Sequence, residues 1–339
     1  MKTNFKLLSS TGIALCFLLF SCSEKLTDAN INPNGVAPET GNPNLTLPTV
    51  MAGAAQNYMN LGFGKISGVM QHTQEDGWYS GFNFYDWAPE DWSGWYGLLR
   101  NNQYVYDRAV ELDYPFHQGV ALTMKSFMFG VITDLWGDAP YTDALKAGSE
   151  EGILYPAYDS QETIYKGIIE DLKTASSLFA GAGDISNSYA DGYDVYFNGN
   201  VAKWQKFVNS LLLRYYLRVS DKMPEIAKPG IEAIYASGIY MKNIGDDAMM
   251  SYIGTTSDNS WPQTPIQFDA SQSNWRRRKA ADALMSKLNA YHDPRRDLWF
   301  QPVHAQWVAD PTLATPKDQF IRKNGVILPG VESYTDQEY

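Results

Sequence analysis

At 339 residues, with 44% hydrophobic and 19% charged residues, the chain has core enough for one large domain or two ordinary ones, which excludes intrinsic disorder and a coiled coil. Aromatic residues reach 14%, with 10 Trp, 22 Tyr and 15 Phe. The formal charge of −11 excludes a polyphosphate partner, because nucleic-acid binders need clustered Lys and Arg to displace counterions.

Lys2 and Lys6 form a short positive region, and the largely apolar stretch of 14 residues, 7–20, that follows is too short to span a bilayer, so it predicts an export signal. The stretch ends in Leu19-Phe20-Ser21-Cys22, which resembles the lipobox of bacterial lipoproteins; Cys22 is the expected lipidation site and residues 1–21 the expected signal peptide. The other cysteine, Cys16, lies within the signal, so the mature chain has no pair to oxidise and must be stabilised by its core. Cleavage leaves a formal charge of about −13 on residues 22–339. Residues 22–46, rich in Asn, Pro, Gly and Thr, predict a solvated tether, with the folded domain over 47–339.

Residues 49–73 predict a first helix, weakened in its second half by Gly62, Gly64 and Gly68. Four amphipathic helices follow. Trp95, Leu98, Val105, Ala109 and Leu112 share one face, as do Val120, Met124, Phe127, Val131 and Leu135, and the short Asp113-Tyr114-Pro115 link makes these two an antiparallel hairpin. Ile164, Ile168, Leu172, Ala175 and Leu178 mark the third face, and Trp204, Phe207, Leu211, Tyr215 and Val219 the fourth. Two helical hairpins in series suggest a stacked helical repeat. A further helix is expected over 279–291, stopped by Pro294, with irregular chain after Asp297.

Two segments resist a helical reading. Residues 74–92 hold Trp78, Tyr79, Phe82, Phe84, Tyr85, Trp87 and Trp92, and residues 251–275 hold Tyr252, Trp261, Phe268 and Trp275, all among Gly, Ser, Thr, Asn and Asp. Long ordered loops in compact domains are usually functional. Pyranose rings stack their C–H faces on aromatic planes while their hydroxyls seek Asn, Asp, Gln and Arg, so this composition suits a sugar. The competing reading is that the rings bury themselves to pin the loops down. Trp78, Tyr79, Tyr85, Trp87, Trp261 and Trp275 are the candidate stacking rings, and Asn83, Asp86 and Arg276 the candidate hydroxyl partners; Trp92, Trp95 and Trp204 are expected in the core.

Asp134, Asp138 and Asp143 fall close together, but Gly137 and Pro140 between them read as a helix stop, with Gly137 as a left-handed cap and Asp138 bonding nearby amides. Asn209, Arg214 and Arg218 are expected to satisfy buried backbone or carboxylate groups. The chain has no G-x-S-x-G, S-x-x-K, H-E-x-x-H or Walker A motif, and its four histidines are scattered without ligand spacing, so neither cofactor nor metal is expected. A glycosidase built from two carboxylates on distant loops stays open as an enzyme alternative. A protein-interaction solenoid whose aromatic loops grip a peptide or a protein partner is the other.

Several segments in order along the chain resemble the SusD/RagB family of outer-membrane glycan-binding lipoproteins: Asn30-Ile31-Asn32-Pro33-Asn34; Trp95-Tyr96 with Asn101; Thr133 through Tyr141; Tyr155 through Tyr165; Lys203 through Leu211; and Asp293-Pro294-Arg295. The resemblance implies a mainly α fold of tetratricopeptide-like hairpins decorated by irregular loops that form a ligand face. It implies a non-catalytic lipoprotein at the cell surface that delivers oligosaccharide to a SusC-like TonB-dependent transporter. The pattern breaks off after Leu298, so a truncated member is expected.

Overall fold

The computed structural model describes residues 40–75, 89–149, 151–256, 259–261, 278–300, 322–323 and 326–327. The signal, Cys22 and most of the tether lie outside them. The architecture is mainly α-helical, with helices α1 (Pro43–Leu61), α2 (Ser93–Glu111), α3 (Pro115–Trp136), α4 (Gln161–Gly181), α5 (Val201–Val219), α6 (Pro224–Ser237), α7 (Asp282–Ala290) and α8 (Arg295–Trp299). A two-stranded antiparallel ribbon pairs β1 (Thr73–Glu75) with β2 (Arg278–Ala280), and a second pairs β3 (Arg322–Lys323) with β4 (Val326–Ile327).

Each long helix packs on its neighbour in the chain: α1 on α2, α2 on α3, α3 on α4, α4 on α5 and α5 on α6. The four amphipathic helices expected from periodicity form within a few residues of their anchors, as two successive hairpins. The caps show why they start where they do. Pro115 opens α3 at the first turn, where its missing N–H is no loss. Ser160 Oγ accepts from Thr163 N at 3.2 Å to start α4, and Asn200 Oδ1 accepts from Lys203 N at 3.1 Å to start α5.

Two expectations about faces change. α3 buries 15 of its 22 residues, on all sides, because it is sandwiched between α2 and α4, whereas a single apolar stripe was expected. Leu112 and Leu135, placed on core faces by periodicity, end the two helices of that hairpin exposed. Gly130 of α3 shows how close the packing is: a Cβ there would stand 2.2 Å from Tyr215 Oη and 2.6 Å from its Cζ on α5.

Boundaries also move. α1 begins at Pro43, inside the stretch assigned to the tether, because Asn42 Oδ1 accepts from Asn44 N at 3.0 Å and Pro43 sits in the first turn. It ends in a π-helical turn, Gly62–Ile66, where the glycines weaken the ladder. The helix expected from Lys279 starts only at Asp282, since 278–280 are taken by β2, and the short α8 (Arg295–Trp299) runs two residues past Asp297, where irregular chain was expected. α6 has no counterpart among the sequence expectations.

The core carries two buried polar staples. Asp194 Oδ1 accepts from Tyr196 N at 3.0 Å and Phe197 N at 3.1 Å, while Oδ2 accepts from Gly199 N at 2.8 Å and from the Trp204 indole N–H at 2.7 Å. His117, fully buried, sits 2.9 Å through Nε2 from Asn44 Oδ1. That oxygen also accepts from Ala190 N, so Nε2 is the donor and Nδ1 is left a bare lone pair with no partner among the described residues. Burial therefore holds its pKa down, from 6.5 to about 4. Unfolded chain binds a proton here below about pH 6.5 that folded chain refuses until about pH 4, so stability is full above that window and falls as pH drops through it, by about 3 kcal/mol. Denaturant titrations at pH 7 and pH 4.5 should show wild type losing distinctly more stability than His117→Gln; equal losses would contradict this.

Candidate functional site

The β1–β2 ribbon joins two parts of the chain that are far apart in sequence. Thr73 pairs with Ala280, Gln74 with Lys279 and Glu75 with Arg278, and Ala281 N extends the pairing by donating to His72 O at 3.0 Å. The first aromatic segment leaves the ribbon after Glu75, and the second enters it at Arg278. Because Glu75 and Arg278 are cross-strand partners, their Cα atoms stand about 5 Å apart, and one end of the ribbon is the common root of both segments.

The other roots are also placed. The second segment sets out past Trp261, whose half-buried indole meets Tyr252 edge-on at 5.8 Å and 70°. Tyr252 Oη in turn accepts from Gln56 Nε2 of α1 at 2.8 Å, so the ring pair is tied to the first helix. Upstream, Asn259 Oδ1 accepts from Thr255 N at 2.9 Å and Thr256 N at 2.8 Å, closing a tight turn.

The first segment returns to the helices through Trp92. Its indole packs against Tyr96 at 5.8 Å, Trp136 at 5.9 Å and Tyr158 at 5.7 Å, each pair tilted or edge-on. Trp136 donates its indole N–H to Glu90 O at 3.3 Å, and Glu90 pairs with Lys65 from the π-turn. Tyr96 Oη donates to Pro140 O at 2.6 Å; burial, with Tyr158 and Asp159 nearby, pushes its hydroxyl well above the usual phenol range. Trp95 and Trp204 are buried as expected, but Trp92 is only half-buried, because its neighbours Trp136 and Tyr158 lie at the surface side of the helices.

Of the candidate ligand residues, Trp261 is placed. Trp78, Tyr79, Asn83, Tyr85, Asp86, Trp87, Trp275 and Arg276 lie outside the described residues, as does Cys22. Tyr158, 64% exposed, and Tyr155, 93% exposed, were not among the candidates. The signal that could have found them is Leu154-Tyr155-Pro156-Ala157-Tyr158, three large apolar side chains in five residues around a proline, with no helical period to bury them.

The carboxylates near the end of α3 go to structural work. Asp134 accepts from the Tyr165 hydroxyl and pairs with Arg218 at 3.2 Å; Asp138 accepts from Gln161 N at 2.9 Å at the start of α4; Asp143 pairs with Lys146 at 3.2 Å. Gly137 ends α3 with φ 77° and ψ −119°, a positive-φ conformation that is extended where a left-handed helical cap was expected. Asp159 bonds Tyr141 N at 3.0 Å and Thr142 N at 2.7 Å and pairs with Ala139 across an isolated bridge. Asn209 donates to Ile239 O at 2.7 Å as expected, whereas Arg214 meets the Tyr58 hydroxyl at 3.4 Å and ring at 5.9 Å. Among the described residues, no group of three His, Cys, Asp or Glu is placed to hold a metal, and no helix is long and apolar enough to cross a membrane.

A family model described as starch-binding and associating with the outer membrane matches residues 38–310. Similar solved structures include a SusD homolog from Bacteroides fragilis, 22% identical over 78% of this chain and 54% of that one, with TM-score 0.63. A SusD/RagB family protein from Bacteroides thetaiotaomicron is 21% identical over 80% of this chain and 56% of that one, with TM-score 0.60. A chitin-binding protein is 21% identical over 84% of this chain and 61% of its own, with TM-score 0.60. At these identities the likeness shows the fold, and the chain spans about half the length of the first two. No curated protein matches the sequence.

Proposed function

This chain belongs to the SusD-like family, described as starch-binding and associating with the outer membrane, and from that premise we propose that it captures oligosaccharide at the cell surface and passes it to a SusC-like TonB-dependent transporter. It does so by binding alone, without turnover, while anchored in the outer membrane through lipid on Cys22.

The observation that carries this reading is the β1–β2 ribbon, which gives two aromatic segments with polar residues between the rings a single root. A carbohydrate needs flat apolar faces and hydroxyl partners within one site. Two segments sharing a root can supply both, where either alone would offer a narrow strip. In this reading Trp78, Tyr79, Tyr85, Trp87, Trp261 and Trp275 supply the faces. Asn83, Asp86 and Arg276 supply the hydroxyl partners, Arg276 with the rigid fork suited to paired oxygens. Fixed roots also lower the ordering cost of binding.

Affinity electrophoresis of the detergent-solubilised full chain through gels containing amylopectin, glycol chitin or other neutral polysaccharides tests it. At least one polysaccharide should retard the protein. Retardation by none of them, from a protein that is folded by circular dichroism, would contradict the proposal and favour a protein-interaction solenoid. Release of shorter products from a labelled oligosaccharide would contradict it in favour of a glycosidase.

A further inference from the structure

Between α3 and α4 the chain displays an aromatic surface outside the two segments discussed so far. Tyr155 is 93% exposed, Tyr158 is 64% exposed, and Leu154 beside them is 71% exposed. Large apolar side chains grouped at the surface mark an interaction site more often than scattered single ones do. Tyr158 is held in place: its ring leans on Trp92 at 5.7 Å, and the next residue, Asp159, exchanges backbone hydrogen bonds of 3.0 and 3.1 Å with Ala139. Pro156 fixes its own φ and biases Tyr155 toward extended backbone, so the two tyrosine Cα atoms stand at most about 10 Å apart, comparable with about two linked sugar rings.

We propose that Tyr155 and Tyr158 form a second carbohydrate subsite, a two-ring platform that takes the distal sugars of a neutral oligosaccharide whose other end is held by the two aromatic segments. This rests on the carbohydrate function proposed above and adds that the ligand is long. Trp92 makes the platform continuous with that face, since it is the last residue of the first segment and touches Tyr158 directly. The surrounding charge specifies a neutral sugar. Among the described residues, Lys65 pairs with Glu90, Lys146 with Asp143 and Glu151, and Lys166 with Glu162, so these ammonium groups are already matched by carboxylates and offer no unmatched positive charge to a uronic or sulfated chain. Carboxylates accept hydrogen bonds from sugar hydroxyls.

Titration calorimetry with the full chain, using maltooligosaccharides and chitooligosaccharides of three and of eight units, tests the inference. Wild type should bind the longer member of one series about tenfold more tightly than the shorter, and Tyr155→Ala/Tyr158→Ala should reduce the longer to about the affinity of the shorter while leaving the shorter unchanged. Tyr155→Ala alone, at a side chain that is almost wholly exposed, should give part of the loss with no change in thermal midpoint. Unchanged length dependence in both variants would overturn the subsite and leave the carbohydrate function standing. Binding of neither series by wild type, if affinity gels also show none, would overturn both. Unchanged glycan affinity combined with loss of a co-purifying outer-membrane protein would assign the platform to a protein partner instead.

Discussion

Trp204→Ala is expected to unfold the domain at moderate temperature. The indole is fully buried in the first turn of α5, stacked at 5.9 Å on Phe179 and edge-on at 5.3 Å to Phe197, with Tyr196 and Phe207 completing the cage. Removing a buried Trp costs about 3 to 5 kcal/mol through lost burial and the cavity left behind. A second loss adds to it. The indole N–H is one of four donors to Asp194, which is 2% exposed, and a buried carboxylate deprived of a donor costs about 1 to 3 kcal/mol more. Together these approach the whole stability of an ordinary domain. Trp204→Phe separates the two contributions, since it keeps most of the apolar volume and removes the donor, and its loss should be about half or less. Urea titrations followed by far-ultraviolet circular dichroism measure both. A loss below about 1 kcal/mol for Trp204→Ala would show that the aromatic cage is not what joins the 189–200 loop to α4 and α5.

What could be read from the sequence follows from how local each cause is. The faces of α2, α4 and α5 are set by 3.6-residue spacing within one helix, and Val105, Ile168 and Leu211 are buried where that spacing puts them. α6 was invisible because Pro229 and Gly230 sit inside it and read as a break. Gly230 is tolerated for a tertiary reason: it lets the Tyr216 ring approach to within 2.4 Å of where a Cβ would be. The start of α1 was in fact written in Asn42-Pro43, an N-cap followed by a first-turn proline, but the Asn- and Pro-rich composition of its surroundings masked it.

The site divides in the same way. Composition picks out the two aromatic segments, since that is a property of each taken alone. The pairing of Glu75 with Arg278 has no local signal, because strands of three residues carry too little period to be recognised and the partners lie far apart in the chain. Sequence therefore named the candidate rings without revealing that they share a root. The same limit hides the support of Tyr158: its own segment marks it as an unburied ring, but nothing near residue 158 announces that Trp92 will pack against it.

Trp78→Ala/Trp87→Ala carries the largest functional effect. Taking about 1.5 kcal/mol for each stacked ring, as for aromatic pairs, the loss of two rings weakens binding by about a hundredfold. The measurement is the dissociation constant of the full chain and of this double variant for the polysaccharide that retards wild type most strongly, determined by calorimetry alongside the thermal midpoint of each. A loss of about two orders of magnitude in affinity with an unchanged midpoint is the expected result. Affinity within twofold of wild type would contradict the assignment of glycan capture to the aromatic segments rooted on the β1–β2 ribbon.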